Sequence, residues 1–100
     1  MSELMKQFLS AWLVWAESGE GEYKFDSGFG LCTNSRYWCE RNGHPRRLLE
    51  DELIAMWDEE GLDEAYPFSN GYGIVYNKET NEETTHLNPR RLAWVRDTLK

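Results

Sequence analysis

Two copies of Pro-Arg-Arg-Leu, at Pro45 to Leu48 and Pro89 to Leu92, place four of the chain's seven arginines in pairs directly after a proline. Proline suits the first position of a helix, where its missing N–H costs no hydrogen bond, so each tetrapeptide is read as a helix start. A guanidinium in that turn faces the positive end of the helix macrodipole and calls for a compensating anion. Free backbone N–H groups and guanidinium forks acting together suit a phosphate or carboxylate, which makes Arg46, Arg47, Arg90 and Arg91 candidate anion ligands. The chain's own 18 Asp and Glu residues offer the alternative of internal or intersubunit ion pairs. Tyr66, Phe68, Tyr72 and Trp94 lie close in sequence to the second arginine pair. Aromatic faces beside guanidinium groups can hold a base while the arginines take its phosphate. Tyr66, Tyr72 and Trp94, with His86 and Asn88, therefore complete the candidate ligand-binding set. Tyr, Trp and Arg are equally the favoured anchors of a protein interface.

Other chemistry finds less support. Cys32, Cys39 and His44, with His86 far downstream, lack the close ligand pairs of a structural zinc site, so no metal is expected. No glycine-flanked serine elbow, phosphate-binding Walker loop or zinc-hydrolase helix occurs, and His86 beside Glu82 and Glu83 reads as a solvated strand end. The expectation is a non-enzymatic protein with no cofactor.

The elements that would position these residues follow from pattern. Ser2 caps a helix to about Ala16, with Leu4, Phe8, Leu9, Trp12, Leu13 and Ala16 on one stripe. An acidic, glycine-rich connection follows from Glu17 to Glu22, then a briefly extended Tyr23 to Phe25, then a second helix over Ser27 to Glu40. Asn42-Gly43 breaks the chain before a third helix, Pro45 to about Glu60, which carries Leu49, Leu53, Met56 and Trp57 and stops at Gly61. Its arginines at the start and acids at the finish both oppose the dipole, and the last helix is the expected antiparallel neighbour. Tyr72 to Asn77 and Glu82 to Leu87 read as a β-hairpin with Tyr72, Ile74 and Tyr76 on one face. Asn88 caps the last helix, with Leu92, Val95 and Leu99 buried and Trp94 off the stripe. The expected fold is α+β: a single domain over 1–100 with three or four helices and one hairpin. A lone hairpin is marginal in water, which points to packing on a helix or to a homo-oligomer.

Composition narrows the partners. A net charge of −7 argues against nucleic acid, and acids concentrated beside arginine pairs argue against nucleic-acid mimicry. The apolar run Phe8 to Ala16 is too short to span a bilayer and has no cationic flank, because Glu3 offsets Lys6. No membrane role is expected; the location is the cytoplasm, with Cys32 and Cys39 reduced.

The segment Tyr66-Pro-Phe, the hairpin, and His86-Leu-Asn-Pro-Arg-Arg-Leu-Ala-Trp-Val95, together with Gly30-Leu-Cys-Thr-Asn34, resembles small accessory proteins of tailed bacteriophages. The resemblance covers about a third of the chain and implies a setting in the host cytoplasm, in host takeover or anti-defence. Its implied partner is a nucleotide-like small molecule or a host protein. On charge alone, the acidic stretches Glu50 to Glu52 and Asp58 to Glu64 would dock on a basic surface of such a protein, with exposed aromatics as central anchors.

Overall fold

The structure is a computed structural model that describes residues 1–26, 30–59, 75–77, 82–84 and 89–100, with side chains over 1–26, 30–56 and 91–100. Four helices, α1 (Glu3–Ser18), α2 (Leu31–Arg41), α3 (Glu50–Glu59) and α4 (Pro89–Thr98), make the fold, with α1 packed on α4 and α2 on α3.

Helix α1 begins where its sequence signals. The Ser2 hydroxyl accepts from the Met5 N–H at 3.1 Å, and Glu3 places an acid in the first turn. Both satisfy the positive, unpaired end of the helix. The Ser2 N–H donates to Glu52 Oε2 at 2.8 Å, tying this end to α3. At the far end Gly19 is left-handed, at φ 71°, and its N–H reaches the Trp15 carbonyl at 2.7 Å. Met5, Phe8, Leu9 and Trp12 are buried, so the inward stripe is centred one position to the side of the predicted one and includes Met5. Leu4, Leu13 and Ala16 pack at its margin.

Helix α2 is shorter than the predicted span and starts after Gly30, with no side-chain cap. Its end is a Schellman stop. Gly43 takes φ 78°, its N–H donates to the Glu40 carbonyl at 3.2 Å, and the His44 N–H reaches back to Cys39 at 2.9 Å. A side chain at Gly43 would strain that left-handed backbone. The apolar contact that accompanies such a stop is His44 stacked on Trp38, 6.4 Å between ring centroids. Trp38 in turn meets Phe8 at 5.8 Å, and Phe8 meets Phe25 at the same distance, so an aromatic row joins α2 to α1.

The third helix corrects the predicted start at Pro45. Pro45 to Leu49 form turns, with the Leu48 N–H on the Pro45 carbonyl at 3.1 Å and the Glu50 N–H on Arg47 at 3.2 Å, and the helix begins at Glu50. The first turn is then Glu50, Asp51 and Glu52, which agrees with the dipole, while Arg46 and Arg47 stay outside it. The predicted inversion at this end is an artefact of starting the helix five residues early. No basic residue occupies the last turn, so the other end remains unfavourable. Leu49 and Leu53 carry the contact with the core.

Helix α4 does start at Pro89. Its buried face is Arg91, Trp94 and Val95 rather than Leu92, Val95 and Leu99, because docking against α1 turns that arc inward and leaves Leu92 and Leu99 half-buried. Arg96 closes the α1–α4 seam on Glu17 at 3.1 Å.

The α+β class is corrected: the core is helical. Every residue of the described core belongs to the helices or their immediate connections. The backbones of Val75–Asn77 and Glu82–Thr84 pair antiparallel over three positions, Val75 opposite Thr84, and this ladder contributes no layer to the described fold. A run that short offers no apolar face able to organise a core. Tyr72 and Ile74, Gly61 and Leu62 lie outside the described residues, as does the Tyr76 side chain.

Candidate functional site

The two Pro-Arg-Arg-Leu motifs meet different fates. Arg91 points into the protein and is 4% exposed. Burial pulls its guanidinium down, with the neighbouring Cys32 partly restoring it. A guanidinium has no accessible neutral form in a protein, so Arg91 is a cation held by its surroundings. Those surroundings are a cluster joining three helices: Arg36 and Glu50 form an ion pair between α2 and α3, and both act on the Cys32 thiol. Arg47 reaches Glu50 Oε2 at 3.8 Å from the preceding turn. Burial, then the Glu50 carboxylate, push Cys32 up to about 11, against the pull of Arg36 and Arg91. Burial likewise raises Cys39, whose sulfur the Leu49 backbone N–H stabilises as thiolate. Both thiols are protonated and inert as nucleophiles near neutrality. The Arg36 Nε is buried with no hydrogen-bond partner among the described residues, a cost carried by this ion pair.

Trp94 is buried as well, so in this arrangement Arg91 and Trp94 offer no face to solvent. Arg47 is largely exposed but shares Glu50 with Arg36. Arg46 is the member of the predicted set that stays at the surface over an aromatic ring. Its guanidinium lies over Tyr37, 5.5 Å from the ring centroid, with Glu40 Oε1 at 3.4 Å from Nε. An exposed pair of this kind contributes roughly 0–1 kcal/mol and is readily exchanged for another anion. Tyr66, Tyr72, His86 and Asn88, and the Arg90 side chain, lie outside the described residues.

A second cation over a ring stands beside the first and was not legible in the sequence. Arg41, the last residue of α2, lies over Tyr23 at 5.5 Å from the centroid, at the mouth of a cleft of about 420 Å³. The cleft runs between α1, which supplies Ala11 and Val14, and the Gly21 to Tyr23 strand of chain, with Trp38 and Asn42 closing it from α2. Its position follows from two helix stops. Gly19 turns the chain off α1 and across its side, where Gly21 takes φ 118°, a backbone conformation that a side chain would strain, beside Val14. The Schellman stop of α2 fixes Arg41 and Asn42 opposite, and Asn42 Nδ2 donates to the Trp38 carbonyl at 2.8 Å. Tyr23 is backed by Phe25, 4.4 Å between centroids. Burial raises the Tyr23 phenol and Arg41 lowers it, while Glu40 and Tyr37 also register on it, so the two cation–ring pairs share one patch around the α2 C-terminus.

Among the described residues, no group of three His, Cys, Asp or Glu side chains is placed to hold a metal ion. No helix among them is long and apolar enough to cross a membrane. Comparison with protein-family models, curated proteins and solved structures finds no match.

Proposed function

We propose that this chain is a non-enzymatic binding protein that captures a planar anionic ligand of nucleotide type in the cleft at the end of α2, in the phage accessory setting its sequence resembles. The observation that carries the reading is Arg41 held over Tyr23 at the mouth of a cleft of about 420 Å³. That volume suits a small molecule, and the lining sets the apolar Ala11, Val14 and Trp38 beside the polar Glu22, Tyr23, Arg41 and Asn42. Arg41 makes no ion pair among the described side chains, so its charge is available to a phosphate. Arg46 adds a second cation nearby, loosely held by Glu40. Both thiols are buried and protonated, leaving the cleft without a nucleophile from cysteine.

Calorimetry against linear and cyclic nucleotides tests the proposal. Binding should weaken by about tenfold or more in Arg41→Ala, since a hydrogen bond to a charged group contributes roughly 1.5–3 kcal/mol. Heat for no member of the panel rejects it.

One observation favours a protein partner instead. Leu48 and Ile54 are exposed, and Asp51, which lies between them in sequence, forms no ion pair among the described side chains, a combination suited to a basic amphipathic surface. A stoichiometric partner lost on Ile54→Ser but kept by Arg41→Ala would favour this reading.

A further inference from the structure

The cleft carries charges of both signs. Glu22, exposed on the Gly21 to Tyr23 wall, lines the same space as Arg41 on the α2 wall, together with Tyr23, Trp38 and Val14. A ligand that is only an anion would leave Glu22 facing its own negative charge. A ligand that is only a cation would meet Arg41. A ligand that satisfies both presents hydrogen-bond donors to Glu22, a flat apolar body to Tyr23, Trp38 and Val14, and an anion to Arg41.

Among nucleotides these demands separate the bases. The Watson–Crick edge of guanine offers two adjacent N–H donors, from N1 and the exocyclic amine, in the spacing of a carboxylate's two oxygens. Adenine offers an exocyclic amine beside an acceptor, which a carboxylate repels. Carboxylates accept paired donors in bidentate form, and such charge-assisted bonds are stronger than neutral ones. Glu22 forms no ion pair or hydrogen bond among the described side chains, so it need not leave a partner to engage a base. Its place between Gly21 and Tyr23 also keeps it close to the wall that Arg41 latches.

We infer that the cleft selects a guanine nucleotide over an adenine nucleotide, with Glu22 accepting from the base edge and Arg41 holding the phosphate. The inference rests on the proposed ligand-binding role and adds the identity of the base. Sites built to pair with donor edges reject analogues that lack them, because the analogue leaves the site's polar group unpaired.

The experiment is titration of the full chain with GMP, AMP and inorganic phosphate, followed by tryptophan fluorescence and calorimetry, for the parent, Glu22→Gln and Arg41→Ala. The parent should bind GMP about tenfold or more tighter than AMP, the ratio expected from one charge-assisted hydrogen bond. Glu22→Gln, which replaces an acceptor oxygen with a donor, should weaken GMP and tighten AMP, because the amide complements adenine's amine and ring nitrogen, so the preference for guanine is lost or reversed. Arg41→Ala should weaken both nucleotides alike. Equal affinity for GMP and AMP in the parent, or a preference that survives Glu22→Gln, overturns the base assignment and leaves the binding role standing. Failure of the parent to bind any nucleotide overturns both. The exposed position of Glu22 makes the variant safe for folding, and an unchanged circular dichroism melt checks it.

Discussion

Replacing Cys32 by alanine should remove a loss of stability at alkaline pH. The thiol is 1% exposed, and burial with the Glu50 carboxylate moves its ionisation from 9.0 to about 11. The folded state therefore retains the proton where the unfolded chain has released it. Stability from this group is full below the unfolded value and is lost as pH rises through the folded one. Two factors of ten at about 1.36 kcal/mol each give a loss of about 2.7 kcal/mol between roughly pH 9 and pH 11. Cys32→Ala should cost about 1 kcal/mol at neutral pH through lost packing, and that offset should not vary with pH. Urea unfolding of parent and variant at about pH 8 and about pH 11 measures the difference, and comparing the pair cancels the titration of Cys39, tyrosines and lysines. The parent should lose about 2–3 kcal/mol more than the variant over that range. Parallel losses would show that Cys32 ionises as freely folded as unfolded, and the buried Cys32–Glu50–Arg91 cluster would be misassigned.

Two further outcomes check the packing. Leu53 and Ile54 are adjacent, one fully buried and the other 42% exposed; Leu53→Asp should abolish cooperative folding by burying an unpaired charge, whereas Ile54→Asp should leave the melting temperature within a few degrees of the parent. Cys32 and Cys39 lie seven residues apart on one helix, so their backbones are about 10.5 Å apart along its axis and beyond the roughly 7 Å reach of a disulfide. A thiol reagent should find no fast-reacting cysteine in the native protein and two in urea, and mass spectrometry of oxidised native protein should show no Cys32–Cys39 bridge.

The sequence by itself determined the features that depend on neighbours within a turn or two. Ser2 ahead of an apolar stripe fixes the start of α1, Pro89 fixes the start of α4, and Asn42-Gly43 ends α2, because caps and left-handed stops are satisfied by hydrogen bonds within a few residues. Identical tetrapeptides nevertheless went separate ways. The Leu48 copy forms a turn before an acidic helix start, and the Leu92 copy lies inside a helix, where docking on α1 carries Arg91 into the core. Local pattern cannot distinguish these, since the electrostatic cost of Arg at a helix start is fractions of a kcal/mol and tertiary contacts exceed it. The α+β expectation failed for a related reason: alternation over a few residues marks a possible strand, but only burial of its face makes it a layer. The cleft was decided wholly by tertiary structure. Tyr23 and Arg41 are ordinary residues in a loop and at a helix end, and only the packing of α2 on α1 through Trp38, Phe8 and Phe25 places a guanidinium over that ring with Glu22 lining the same cleft.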